Sequence, residues 1–367
     1  MSAPIRQHYI PRSYLKNFAT EKAKKTFVVD GYRINDEVLL KDLSTKDICL
    51  EKHIYTIETN DESKKFALET YYADNVDSEY PNIYKILTDK SIKKVDKNQK
   101  FQILYVCLSL YFRTPHYLNQ HNKITNEIFD NAVPYADENG IVTLNYFGKQ
   151  LRFHKDKIDT IKKDFQKNNK TIFHVKHLEQ WMNFVHFKYG CVINVIEIED
   201  KTAPLITCDN PVSIRHMKTN QFAGLFDVNS VITLPLDSYH FLEIHPNSFE
   251  DGDSVINRLI HDKDFTFTTN AITQSNATNW IIAKSGNIDV HFKIQDHYEN
   301  EKNAEEFLDK AKYRAEEMQR IFSMTEKEGF SKDVIIEYKK LERHPHFKDD
   351  KNLKKHIAMM KAKGLYQ

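Results

Sequence analysis

The sequence predicts an α+β protein: small antiparallel β elements around a central helical core, with a charged helical C-terminal appendage. Three observations carry this. Apolar and aromatic residues recur at three- and four-residue intervals from Phe66 to Leu87 and again from Lys97 to Phe112. Short β-branched runs bounded by turn residues lie on both sides of that helical stretch. From about Asn300 the composition shifts to Lys, Glu, Asp and Arg at amphipathic spacing. The expected organisation is one α+β core domain over residues 1–290 and a charged helical appendage over 291–367.

The opening segment, Gln7-His8-Tyr9-Ile10-Pro11-Arg12, is unlike a frayed terminus. Pro11 fixes its own backbone and pushes Ile10 into an extended conformation, while Tyr14, Leu15 and Phe18 follow at helical spacing. Thr26 to Asp30 and Glu37 to Leu40 flank turn residues and read as a hairpin; Ile48 to Leu50 and His53 to Ile57 read as short strands. Phe66 to Leu87 is predicted as one long helix and Lys97 to Phe112 as a second. Arg113-Thr114-Pro115 interrupts the pattern before it resumes from His116 to Ala132. Val142 to Phe153 alternates around Gly148 as a hairpin. Lys157 to Asn168 and His174 to Phe187 read as two helices. Strands are expected at Cys191 to Ile198, Pro204 to Cys208, Val231 to Pro235, Tyr239 to Ile244 and Ile281 to Ala283. Helices are expected at Asp253 to Ile260 and Asn270 to Trp280.

Composition excludes several classes. The chain has 367 residues, 40% hydrophobic, which suffices for a substantial core. Lys+Arg 53 against Asp+Glu 52 leaves a formal charge of +1, which argues against tight nonspecific coating of DNA while leaving room for a local basic face. Cys49, Cys107, Cys191 and Cys208 lie far apart in apolar contexts and read as small buried hydrophobes. No secretory segment opens the chain, and no apolar run reaches the roughly 18 to 20 residues of a membrane span. A soluble cytoplasmic protein without membrane contact is therefore expected. Neither a phosphate-binding loop nor a dinucleotide fingerprint appears. His116 and His121 do not share a helical face, so zinc is not expected. The chain also lacks a Gly-x-Ser-x-Gly elbow.

Five places concentrate groups that could do chemistry, of which the fifth, Leu234-Pro235-Leu236-Asp237, reads as a strand end that supports the core. His8 stands on the stiffened opening segment. Glu69 and Glu79 lie among tyrosines on the predicted long helix, where burial raises a carboxyl pKa unless a cation meets it. Arg113 ends a very apolar helix and is expensive to bury unpaired, so Glu69 and Glu79 are its expected partners. Asp209 and Asn210 end a strand that Pro211 prevents from continuing.

In this order, His-Tyr-Ile-Pro with Tyr-Leu-x-x-Phe, Tyr55, Leu-Glu with a second Glu, Arg-Thr-Pro and Asp-Asn-Pro-Val resemble the bacterial and fungal family known as domain of unknown function 4238. The resemblance spans Gln7 to Ala283 and leaves the charged tail outside. It implies that His8, Glu69, Glu79, Arg113, Asp209 and Asn210 belong together, and brings no activity with it.

One imidazole, three carboxylates, an arginine and an amide suit phosphodiester hydrolysis. Glu69, Glu79 and Asp209 would hold Mg²⁺ or Mn²⁺, Arg113 would neutralise phosphate charge, and His8 would move a proton. The expectation is a nuclease or nucleotide hydrolase acting on nucleic acid or nucleotides, as the effector of an anti-phage or toxin system. The alternative is a non-enzymatic binding or regulatory module, in which the Glu-Arg-Asp cluster is structural and the charged C-terminal helices contact a partner protein.

Overall fold

The computed structural model of the protein describes residues 6–57, 59–146, 148–247 and 254–366. Its centre is the Lys97–Phe112 helix, opened by a capping box in which Asp96 and Gln99 satisfy each other's backbone amides. Eleven of its sixteen residues are buried, on every side rather than on one stripe. A helix that is apolar all round has to be wrapped, and this one is. The Tyr80–Thr88 and Ile158–Phe187 helices pack against it, with Trp181 stacked on Tyr105 at 4.2 Å.

Two larger sheets flank these helices. The six-stranded sheet runs Ser213–His216, Ser230–Pro235, His240–Asn247, Cys191–Ile198, Ser254–His261, Lys94–Val95. All its pairings are antiparallel except that of 191–198 with 254–261. In the five-stranded sheet, Thr26–Arg33 joins Thr20–Ala23, Val38–Ser44 and Trp280–Ala283, and Thr207–Cys208 adds to the last of these. Tyr14, fully buried on the short Arg12–Leu15 helix, ties the two sheets together. Its hydroxyl donates to the Pro235 carbonyl at 2.9 Å and therefore accepts from the Thr207 hydroxyl at 2.6 Å.

The α+β class holds, with several local differences. The predicted Phe66 to Leu87 helix is three pieces: Ala67–Tyr72, a π-helical turn Ala73–Asp77, and Tyr80–Thr88 with Pro81 in its first turn. The two helices expected between 157 and 187 are one, Ile158–Phe187. Residues 53–57 are not a strand; Leu50–Lys52 is, and it pairs with Arg6–His8. The largest change is at 254–261, expected as a helix and found as a strand. Val255, Ile256, Leu259 and Ile260 fit either period, and the parallel neighbour at 191–198 decides between them. The helix that follows is Lys263–Asn276, starting earlier than expected because Asp262 accepts from the amides of Asp264 and Phe265. The hairpin at Ile141–Tyr146 and Lys149–His154 is as expected, with Gly148 at φ +81; Phe147 lies outside the described residues. All four cysteines are free and buried.

The C-terminal helices form a second small core of Tyr313, Ile321, Val334, Tyr338, Leu341, Leu353, Ile357, Met360 and Tyr366. It docks on the first part of the chain through polar contacts and through Phe307, which packs against Phe267 at 5.4 Å and Tyr298 at 5.3 Å. Lys310 and Arg314 meet Asp262, Lys310 and Tyr298 meet Asp264, Lys351 meets Glu199, and the Asn352 amide donates to the Ile260 carbonyl at 3.0 Å. No helix among the described residues is long and apolar enough to cross a membrane.

Arg258 shows how the 254–261 strand is held. One guanidinium nitrogen donates to the carbonyls of Ile86, Asp89 and Ile92 at 3.1, 2.9 and 2.8 Å, and the other to Leu87. Those of Ile86 and Leu87 lie in the last turn of the Tyr80–Thr88 helix, where helical donors run out, and that of Asp89 also accepts from the Ile92 amide at 3.1 Å. Arg258→Leu is expected to cost about 2 kcal/mol through the acceptors it leaves unpaired, read as a lower urea midpoint with an unchanged m-value.

Candidate functional site

Arg113 is the C-cap of the central helix, and Thr114 and Pro115 open the next. The chain must turn there, which leaves the guanidinium inside the protein, 1% exposed. Its Nη1 meets the Asp77 carboxylate at 2.5 Å, Nη2 donates to the His8 carbonyl at 3.0 Å, and Nε donates to the Tyr55 hydroxyl at 3.4 Å. Tyr55 in turn donates to the Arg113 carbonyl at 2.6 Å. The guanidinium carbon lies 4.3 Å from the Tyr72 ring centroid. Burial works against the charge, but Asp77 and Tyr55 outweigh it, and the proton is held more tightly than usual.

The partner is thus Asp77, where the sequence pointed to Glu69 and Glu79. The π-helical turn at 73–77 is the reason. It breaks the helical register, so positions counted along an unbroken helix do not hold. Glu69 stands near Arg113 but accepts from Gln7 Nε2 at 2.7 Å; burial raises its pKa, opposed by that bond and by Arg113. Gln7 is fully buried, and its Oε1 accepts from the Tyr55 amide at 2.7 Å. Glu79 lies apart, accepting from Asn82 Nδ2 at 3.5 Å.

His8 contributes its carbonyl to Arg113, while its Nε2 is buried with no hydrogen-bond partner. Burial and the charges of Arg12 and Arg113 lower its pKa, against the backbone of Thr45 and Lys46, so the ring is neutral at pH 7. Asp209 and Asn210 form a separate network. Asp209 accepts from the amides of Thr278 and Asn279, both at 2.8 Å, and burial raises its pKa despite these donors. Asn210 Nδ2 donates to the Asn276 carbonyl at 3.2 Å, and the Asn276 side chain donates back to the carbonyls of Asn210 at 2.5 Å and Val212 at 3.0 Å.

His8, Glu69 and Arg113 therefore meet around Gln7, Tyr55 and Asp77; Asp209 and Asn210 clamp the 276–279 turn, and Glu79 joins neither group. Among the described residues no group of three or more His, Cys, Asp or Glu side chains converges as a metal site. Glu69, Glu79 and Asp209, the carboxylates on which the Mg²⁺ or Mn²⁺ expectation was built, each have a separate hydrogen-bond partner. Gln7, Tyr72 and Asp77 were not singled out from the sequence. The signal for Asp77 is its place among the carboxylates of the tyrosine-rich 69–79 segment; helical spacing is no guide to it, because the π-helical turn at 73–77 breaks the count.

The network continues behind Tyr72. Its hydroxyl meets His177 Nε2 at 2.6 Å, and His177 Nδ1 lies 2.5 Å from the Phe173 carbonyl. Nδ1 must carry the proton, so Tyr72 donates to Nε2 and the imidazole is neutral. Burial lowers the His177 pKa to about 4 from the ordinary 6.5.

Two outcomes are expected. Arg113→Met leaves Asp77 without its cation and costs about 3 kcal/mol, whereas Glu79→Gln stays within about 0.5 kcal/mol; chemical unfolding reads both. The His177 contribution, on the order of 3 kcal/mol, is complete above pH 6.5 and lost as pH falls from 6.5 to 4. The unfolded chain takes up a proton there that the folded one refuses. Urea midpoints across that range check it, with a shallower slope for His177→Gln.

No curated protein and no solved structure matches the chain. A family profile described as "Protein of unknown function (DUF4238)" matches residues 6–287. That span holds Arg113 and every residue bonded to its side chain and ends before the C-terminal helical core. The chain belongs to this family of proteins of unknown function, DUF4238.

Proposed function

We propose that this chain is a non-enzymatic binding protein, in which the Arg113 network is structural and the C-terminal helical unit meets the partner. The observation that carries this reading is the saturation of Arg113. Its three kinds of guanidinium nitrogen go to Asp77, His8 and Tyr55, and one face lies on Tyr72. An arginine that stabilises a phosphoryl transition state needs donors directed at the substrate. Here those donors are spent inside the protein. Asp209 is spent likewise on two backbone amides. The competing reading is a metal-dependent phosphodiesterase acting on nucleic acid or nucleotides.

Incubation of the purified chain with labelled DNA, RNA and nucleotides, with Mg²⁺, Mn²⁺ or EDTA, separates the two. No turnover is expected in any arm, and Glu69→Gln is expected to lower stability only. Metal-dependent turnover that Glu69→Gln abolishes while the fold survives would establish the hydrolase instead.

A further inference from the structure

The near-neutral total conceals a strong asymmetry. Residues 332–367 contain ten Lys and Arg against five Asp and Glu, whereas residues 1–331 contain 43 against 47. All ten cations of the segment are exposed. Three of its five acids are occupied: Glu337 pairs with Arg320 and Lys340, Glu342 pairs with Lys361, and Asp350 is buried as the cap of the last helix. Asp333 and Asp349 are its only exposed acids.

On the Lys351–Ala362 helix the charges are also ordered. Leu353, Ile357 and Met360 face the C-terminal core. At 100° per residue, Lys351 and Lys355 fall opposite that face and Lys354 and Lys361 lie on one flank of it, together a stripe about 15 Å long. Lys354, Lys355 and Lys363 pair with no carboxylate among the described residues. Cations held on a rigid helix with few anions beside them make a positive potential that attracts a linear polyanion.

We infer that the solvent face of the 332–363 helices is a sequence-independent binding surface for a nucleic-acid backbone. This names the partner class of the C-terminal unit and rests on the reading that this unit meets the partner. A lipid surface fits less well, because the apolar face of the last helix is already buried and unavailable for insertion. A protein partner fits less well because none of the segment's aromatic residues is exposed to serve as an anchor.

The test is fluorescence anisotropy of the full chain with a labelled random-sequence DNA duplex and an RNA of the same length, from 50 to 200 mM salt. Binding is expected to weaken at least tenfold over that range. The triple variant Lys354→Glu, Lys355→Glu, Lys363→Glu is expected to lose at least tenfold in affinity at 50 mM salt and to show a shallower salt slope, with an unchanged melting temperature. Lys24→Glu, in the exposed turn between the Thr20–Ala23 and Thr26–Arg33 strands, should bind as the parent does. No binding to either nucleic acid overturns the inference, as does binding indifferent to the triple variant. Selective binding to phosphatidylserine vesicles overturns it in favour of a lipid surface. These outcomes are separate from turnover: nucleic-acid hydrolysis with the stripe intact would sink the non-enzymatic reading and leave the surface standing.

Discussion

A guanidinium keeps its charge at any pH a protein meets, so burying Arg113 obliges the rest of the chain to solvate it. The structure does this with groups drawn from three distant segments. The opening strand supplies the His8 carbonyl, the 73–77 turn supplies Asp77, and the 54–55 segment supplies Tyr55. None of these segments holds its position through local helix or sheet bonds alone. Arg113 is the common point at which they meet, and it helps to hold the Arg6–His8 strand in place.

The same requirement explains the irregular geometry around it. A continuous helix from 66 to 87 would carry its carboxylates at ordinary helical spacing. The π-helical turn shifts that register and delivers Asp77. Gln7 completes the arrangement by bridging the Tyr55 amide to Glu69, so a second carboxylate is held close by without being the main counter-ion. Tyr72 lies between Arg113 and His177, and the His177 ring is locked as a neutral acceptor behind it. Charge, aromatic faces and a neutral imidazole thus form one connected interior, which is what a conformationally unique polar core requires.

The C-terminal unit is built by different rules. Its apolar residues make a small core of their own, and it meets the family core through ion pairs that run from exposed (Lys351–Glu199) to partly buried (Lys310–Asp264), a few hydrogen bonds and the aromatic contacts of Phe307. Such ion pairs are weakened by salt far more than the buried Arg113 centre is. The chain therefore pairs a rigid interior, where charge is internally compensated, with an outer helical layer that displays charge to solvent.

Much of this was legible residue by residue. The α+β class, the hairpins at 26–44 and 141–154, the interrupted helix at Arg113 and the buried cysteines follow from periodicity, turn chemistry and the cost of burying charge. That Arg113 needs a carboxylate was also legible, because the penalty for an unpaired buried cation is independent of the fold. Which carboxylate answers it was not. Asp77 rather than Glu69 or Glu79 is decided by a helical register shift that local spacing does not encode. The strand at 254–261 was likewise hidden, since its period is ambiguous and its parallel neighbour lies some 60 residues away in sequence. By itself the sequence determined which residues had to be buried, paired or turned; tertiary packing decided their partners, because a buried charge is satisfied by whatever the fold places beside it.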